Sequence, residues 1–205
     1  MKPIEFVKVD ARDGRPATEY PTRHGPADPV ENITILWWEG RNPARYFGLV
    51  ANDRQTDVPG VLREINAEVW AQLTAARRET LLGELAAHRF NVETGGVEMP
   101  DGTRVRTDRE SQSQVNSAYT TLRDGMVDAA DFKGANGWVT ITLAEITPIA
   151  TAVARHVQPC FTAERYVEGL LSAAETAEAL HAIDYRGEFD TALEAIKAEQ
   201  VEAAA

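Results

Sequence analysis

The chain has 205 residues, of which 43% are hydrophobic and 26% are charged, and its formal net charge is −11. This length allows one large domain or two small ones, and the composition is that of a soluble globular protein. The acidic balance argues against nucleic-acid binding, which requires clustered Lys and Arg. No stretch approaches the ~20 apolar residues of a membrane helix, and the N-terminus lacks the apolar segment of a secretion signal. The single cysteine, Cys160, excludes an internal disulfide and fits synthesis in a cytoplasm.

The first part of the chain, residues 1–60, predicts a small β-rich module. Residues 33–38 and 45–50 are β-branched or aromatic and are bounded by turn residues, which predicts two strands paired across a turn at 40–43. Residues 4–9 predict a third strand, and residues 16–29 predict an exposed loop. We expect this module to dock on a partner.

Residues downstream predict helices alternating with hairpins. Asn66 is a good N-cap for a helix that runs to about His88, with Ile65 packed on Trp70 as a hydrophobic staple. The Asp-Gly pair at 101–102 and the Asn-Gly pair at 136–137 each predict a hairpin. Capping boxes at 107–110 and 142–145 predict the starts of two more helices, the first of which ends near Gly125.

The last helical region is predicted from residue 143 to about residue 182. Pro148 and Pro159 lie inside it and predict a kink or two abutting helices. An amphipathic segment at 190–204 is predicted to dock or to fray. The predicted fold is therefore α+β: the β-rich module, a helix-hairpin-helix-hairpin-helix domain at 61–187, and a C-terminal amphipathic helix or tail at 188–205.

No catalytic, metal-binding or cofactor-binding residue is predicted. The histidines form no metal-ligand spacing, and we expect each at the surface or at a helix end: His24, His88, His156 and His181. Cys160 lies four residues after His156, which is compatible with an activated thiolate, but a packed, buried cysteine is the favoured interpretation. No phosphate-binding glycine loop and no marked carboxylate pair is present, so we predict that the chain is not an enzyme.

Two adjacent tryptophans suggest a partner interface. Neighbouring strand residues point to opposite faces, so one of Trp37 and Trp38 can fill a core while the other faces outward. The candidate interface consists of Trp37, Trp38, Tyr46 and Phe47, because exposed aromatic residues are enriched at binding hot spots. At this point, core packing and partner binding both remain open.

Five segments carry a resemblance to a known family. They are FNVETGGV at 90–97 after an arginine-rich helix end, MPDGTRVRTDRESQ at 99–112, NSA at 116–118, NGWVTITL at 136–143 and ARHVQPCF at 154–161. In this order and spacing, residues 75–183 resemble a domain of unknown function found in tail-region proteins of tailed phages and prophages. The resemblance implies a tail, baseplate or tail-fibre protein and supplies no catalytic residues.

The favoured functional hypothesis is a structural or interaction protein of a bacteriophage tail, synthesised in the host cytoplasm and located in the virion. It would be a baseplate or tail-fibre attachment component that binds other tail proteins in a homo-oligomer or a symmetric assembly. The alternative is a tail-fibre assembly chaperone. A remote alternative is a small glycan-binding or glycan-cleaving protein with Trp37 and Trp38 as its platform.

Overall fold

The computed structural model describes residues 1–7, 33–39, 45–50, 61–134 and 137–203, with the backbone alone for residues 61–63. As predicted, the chain is α+β, with N-terminal strands and a mainly helical remainder. The elements are β1 (Lys2–Phe6), β2 (Ile33–Glu39), β3 (Arg45–Val50), β4 (Val61–Glu64), α1 (Ala67–Glu93), β5 (Val97–Glu98), β6 (Arg104–Val105), α2 (Arg109–Arg123), β7 (Ala130–Gly134), β8 (Gly137–Ile141), α3 (Leu143–Ala173), α4 (Ala177–His181) and α5 (Tyr185–Glu202). They form two compact units, residues 1–80 with 174–183 and residues 81–173 with 184–205.

The first unit is built on an antiparallel sheet with the strand order β2-β3-β1-β4. β2 and β3 pair as predicted, whereas β4 corresponds to no predicted strand. The predicted turn at 40–43, the loop at 16–29 and the part of the predicted first strand beyond residue 7 lie outside the described residues.

Both faces of this sheet carry buried side chains. Ile4, Phe6, Ile33, Tyr46 and Val50 form a cluster on one face. Leu36, Trp37, Phe47 and Leu49 form the other cluster, with Ile65, the first turns of α1 and Ala177 of α4. A β-bulge between Ile35 and Trp37 shifts the register of β2, and Leu36 and Trp37 therefore join the same cluster although they are neighbours. The unit extends past residue 60 because these helical residues complete its core.

The start of α1 is as predicted. Asn66 Oδ1 accepts a hydrogen bond from the Val69 backbone N–H at 2.9 Å, and Ile65 is buried in the cluster that includes Trp70. The helix continues past His88 to Glu93, so His88 is not at its C-terminus. His88 instead lies within hydrogen-bond distance of Asp190, 3.2 Å from its carboxylate.

The second unit packs α2, α3 and the β7–β8 hairpin around one apolar cluster. Its buried members are Val115, Leu122, Ile141, Ile146, Val153 and Val157. Both predicted hairpins form: Gly102 takes φ +81° in the β5–β6 turn, and Gly137 takes φ +114° at the start of β8. Asn136, the other predicted turn residue, lies outside the described residues.

The capping box predicted at 107–110 is wrong by one residue. The N-cap of α2 is Asp108, which accepts a hydrogen bond from the Ser111 backbone N–H at 2.9 Å. This bond is the main reason that the pKa of Asp108 falls to about 2. Thr107 is excluded from the cap because its hydroxyl is buried and bonded elsewhere. The second predicted box does form, since Glu145 Oε2 accepts from the Thr142 backbone N–H at 2.8 Å.

Of the two outcomes predicted around the prolines, two abutting helices is wrong, whereas a kink stays a prediction. α3 is one helix from Leu143 to Ala173, with Pro148 and Pro159 inside it. An interior proline costs about 3 kcal/mol, whereas each fully buried aliphatic side chain contributes about 1.5–3 kcal/mol, and α3 buries a whole stripe of them. The helix also ends before the predicted residue 182, because Thr176 caps the separate helix α4 by accepting from the Ala179 backbone N–H at 3.1 Å.

The C-terminal helix packs within the second unit. α5 starts at Tyr185, earlier than the predicted residue 190, and Phe189 and Leu193 are buried. Ile196 is half-buried, but Val201 is 70% exposed, so the end of the predicted apolar stripe does not pack. Of the two predicted outcomes, docking describes most of this helix.

Candidate partner-binding site

A buried carboxylate lies at the end of α1. Glu93 is 0% exposed, and its carboxylate accepts hydrogen bonds from three side chains. Arg89, one helical turn earlier, bonds Glu93 Oε2, and Arg109 Nη2 lies 3.3 Å from the same oxygen. Gln112 Nε2 lies 2.9 Å from Oε1. These donors supply the hydrogen bonds and the positive charge that a buried carboxylate needs to offset the cost of its desolvation.

Thr107 ties the backbone at this site together. Its hydroxyl donates to the Glu93 carbonyl at 2.6 Å and accepts from the Gly96 N–H at 2.9 Å. Gln112 Nε2 also donates to the Thr107 carbonyl at 2.7 Å, so both amide hydrogens of Gln112 are used. The start of α2 is therefore fixed against the end of α1.

His156 is buried in the middle of α3, so the prediction of a surface or helix-end position is wrong for this residue. Its Nε2 lies 3.1 Å from the carbonyl oxygens of Val92 and Glu93. Carbonyl oxygens only accept, and Nε2 therefore carries a proton. Burial lowers the pKa of His156, and the nearby Lys197 adds to this effect. The ring is thus a neutral structural donor at neutral pH.

Cys160 has the surroundings of a structural residue. It is 0% exposed, and its thiol donates to the His156 carbonyl at 3.2 Å. Burial raises the pKa of the Cys160 thiol, whereas a nucleophilic cysteine requires a lowered pKa and access to solvent. This environment agrees with the favoured interpretation of a packed cysteine.

The arginines at this site are held by aromatic rings as well as by carboxylates. Arg89 Nε donates to Glu164 at 2.9 Å, and its guanidinium lies 4.6 Å from the Phe161 ring centroid. The Arg109 guanidinium lies 5.9 Å from the rings of both Phe90 and Phe161. These cation–π contacts favour the observed positions of the two guanidinium groups. We name the interacting charged and amide residues the Glu93 cluster: Arg89, Glu93, Arg109, Gln112 and Glu164.

An open groove of about 420 Å³ lies between α2 and α3 beside the Glu93 cluster. This volume is within the usual range of ligand sites. We name it the α2–α3 groove; it is lined by Arg109, Gln112, Ser113, Val115 and Asn116 of α2 and by Ala150, Val153, Ala154, Val157 and Gln158 of α3. None of these lining residues is acidic or aromatic.

The structure places most of the predicted interface residues in cores. Trp37 is 3% exposed, Tyr46 1% and Phe47 0%. Trp37 stacks on Phe47 and on Trp70, and Tyr46 stacks on Phe6. Side chains this deeply buried have almost no surface left for a partner.

Trp38, the fourth predicted interface residue, is partly buried and packs against the cluster that contains Tyr46. Three of the four predicted interface residues are therefore core residues, and Trp38 is the one that keeps some exposed surface.

The prominent exposed aromatic residue is Trp138 on β8, which was not predicted as an interface residue. It is 71% exposed and lies opposite Lys133, whose Nζ is 5.6 Å from the ring centroid. Phe132 and Ile141 of the same hairpin belong to the apolar cluster of the second unit. Because strand residues alternate, Trp138 and Lys133 lie on the opposite, outer face. Residues 137–141 are apolar at positions 138, 139 and 141, so no alternation of apolar and polar residues marked Trp138 as exposed.

Within the described ranges, no three His, Cys, Asp or Glu side chains come together in a way that could hold a metal ion. No helix in the same part of the chain is long and apolar enough to cross a membrane.

The model of the DUF4376 family, described as a domain of unknown function, matches residues 64–186. No curated protein and no solved structure matches the chain. The family match spans more than half of the sequence and includes all five segments that carried the resemblance, and the chain therefore belongs to the DUF4376 family. The Glu93 cluster and the α2–α3 groove lie within the matched region.

Proposed function

We propose that this member of the DUF4376 family is a structural interaction protein of a bacteriophage tail, as a baseplate or tail-fibre attachment component of the virion. Support comes from the resemblance of segments between residues 90 and 161 to tail-region proteins. Those segments contribute to a fixed scaffold, including a buried ion-pair cluster, and to the hairpin that exposes Trp138. A rigid scaffold with an exposed aromatic side chain suits a protein that functions by binding other proteins.

The observation that carries this proposal is the exposure of Trp138. Burying a large apolar side chain is worth about 1.5–3 kcal/mol, and at 71% exposure most of that remains available to a partner. Met126 and Val127, which follow the C-terminal end of α2, are also exposed, at 69% and 43%. Tryptophan is one of the residue types enriched at interface hot spots.

The tail-fibre assembly chaperone is the second candidate. An acidic chain of net charge −11 with exposed apolar side chains would suit a protein that covers a fibre end before assembly. Of the two tryptophans in the platform of the glycan hypothesis, Trp37 is 3% exposed and Trp38 is partly buried, so the structure offers little support for that alternative.

The test is quantitative mass spectrometry of purified virions and of infected-cell lysate from the phage or prophage that encodes the chain. A virion component is expected in purified particles at a fixed ratio to the major tail protein, in a multiple that matches the tail symmetry. Abundance in the lysate together with absence from particles would reject the virion component and favour the chaperone.

A further inference from the structure

We propose that the α2–α3 groove binds an extended segment of a partner protein, holding its main chain through side-chain amides and one acidic side chain through Arg109. This deepens the proposed function and rests on it only in taking the partner to be a protein.

The amides along the groove supply the chemistry for main-chain recognition. Asn116 and Gln158 line it from opposite helices, both are exposed, and among the described residues neither makes a side-chain hydrogen bond. Each can donate and accept at once, as can the peptide group. Gln112 donates its amide hydrogens to Glu93 and to the Thr107 carbonyl, so its side-chain oxygen is the atom that can accept a hydrogen bond from a ligand.

The length of the groove matches a short extended segment. The α2 lining runs from Arg109 to Asn116, and the α3 lining runs from Ala150 to Gln158. At 1.5 Å of rise per helical residue each wall is about 10–12 Å long. An extended chain covers this distance with about three or four residues.

Arg109 gives the groove its preference for a carboxylate. Its side chain is 56% exposed, and only one of its N–H groups bonds the Glu93 carboxylate. The rings of Phe90 and Phe161 and the carboxylate of Glu93 lie around the guanidinium, and its remaining N–H groups can form paired hydrogen bonds to a second carboxylate. No acidic side chain lines the groove to compete for it.

The floor of the groove favours a peptide over a sugar. Val115, Val153 and Val157 are buried, and Ala150 and Ala154 are small, so there is room for short apolar side chains. The lining contains no aromatic ring against which a sugar could stack.

The experiment is an NMR titration of the purified, isotopically labelled full chain with an acetylated and amidated pentapeptide, Gly-Ala-Glu-Ala-Gly. We expect saturable shifts of the Asn116 and Gln158 side-chain amides and of the Ala154 backbone amide. Replacing the peptide's glutamate with glutamine should weaken binding about tenfold, because a charge-assisted hydrogen bond is lost.

Asn116→Ala and Gln158→Ala should each weaken peptide binding several-fold. Both positions are exposed, so both variants are expected to fold. Gln114→Ala is the matched control, since Gln114 is an exposed amide of α2 outside the groove that bonds Glu110 instead.

The proposal would be overturned by an absence of saturable shifts, or by a loss of peptide affinity in Gln114→Ala as large as that in Asn116→Ala and Gln158→Ala. Saturable binding of chitotriose without any response to the peptides would also overturn it. The titration uses the chain alone, so peptide binding combined with absence from virions would reject the virion component and leave the groove in place.

Discussion

Glu93 connects segments that are far apart in the sequence. Its carboxylate joins α1 to α2 through Arg109 and Gln112, and its carbonyl accepts from His156 of α3. Other packings of these helices would leave the buried Glu93 carboxylate without a charged partner, which is strongly destabilising. The Glu93 cluster thereby fixes the position of Arg109 at the groove.

Glu93→Ala is expected to destabilise the protein by about 3 kcal/mol or more, because it leaves the partly buried Arg89 without one of its carboxylates. Urea unfolding monitored by circular dichroism measures this change in the free energy of unfolding. Glu79→Ala, at an exposed position of the same helix, should change the free energy of unfolding by less than about 0.5 kcal/mol. Equal effects of the two substitutions would contradict the structural role of Glu93.

Protonation of His156 should destabilise the fold. Burial lowers its folded-state pKa below the ordinary value of 6.5, so the unfolded state binds more protons between the two pKa values. The stability that neutral His156 gives to the folded state is fully present above pH 6.5, and it is lost as the pH falls from 6.5 toward the folded-state pKa. The free energy of unfolding should therefore fall between pH 7.5 and pH 5.5, and it should fall less in His156→Gln. An identical pH dependence in the two proteins would count against this assignment.

The single-residue features of the site were only partly predictable. Arg89 and Glu93 are four residues apart, a spacing that allows an ion pair on a helix, but the first helix was predicted to end at about His88, before both residues. The sequence does not indicate that the pair is buried, because that depends on Arg109 and Gln112, which arrive from another helix. Similarly, the burial of His156 depends on the end of α1, which lies more than sixty residues away.

At the level of elements, α2 ends in a Schellman motif. The Gly125 N–H donates to the Leu122 carbonyl at 3.2 Å, and the Met126 N–H donates to the Thr121 carbonyl at 3.1 Å. Gly125 takes φ +66°, a backbone region that residues with a Cβ rarely adopt. The predicted stop of α2 at Gly125 is therefore confirmed, with a specific conformational cause.

Gly125→Ala should destabilise the protein by about 1–2 kcal/mol, because alanine is strained at this φ although no atom would contact its Cβ. Gly169→Ala is the matched control in α3, where the glycine is exposed and a Cβ would also meet open space. There the same substitution should stabilise by about 0.4–1 kcal/mol. Thermal unfolding midpoints that move in the same direction would contradict the account of the cap.

Local signals predicted elements well where neighbouring residues decide the outcome. The Asn66 cap, the Asp-Gly hairpin and the stop at Gly125 each depend on a few adjacent residues. The continuity of α3 depends on the apolar side chains that it buries along its whole length. A prediction from Pro148 and Pro159 alone considers the local cost of each proline and not this burial.

At the scale of the whole chain, the tryptophans separate into core and surface. The sequence places Trp37 in an apolar run and Trp138 beside a turn, but exposure depends on which strand face each core covers. The bulge in β2 turns Trp37 inward, whereas the alternation of β8 leaves Trp138 outward. Of the tryptophans in the predicted interface, Trp37 is buried and Trp38 is partly buried, whereas Trp138, which was not in the predicted set, is 71% exposed.

Substitution of Trp37 and of Trp138 should have different effects on the free energy of unfolding. Trp37→Ala should cost about 3–5 kcal/mol, because it opens a cavity in the core of the first unit. Trp138→Ala should cost less than about 1 kcal/mol, since it removes an exposed ring and its contact with Lys133. Chemical denaturation of both variants measures the difference, and comparable losses would mean that Trp138 is structural.

The most direct test is amine-reactive cross-linking of purified virions, followed by mass spectrometry. The chain has four lysines, and three lie among the described residues: Lys2 on the sheet, Lys133 beside Trp138 and Lys197 on α5. If the outer face of the β7–β8 hairpin holds a tail protein, Lys133 should cross-link to that protein more strongly than Lys197 does. Recovery of the chain from virions with cross-links to other proteins at Lys2 or Lys197, and none at Lys133, would contradict this account.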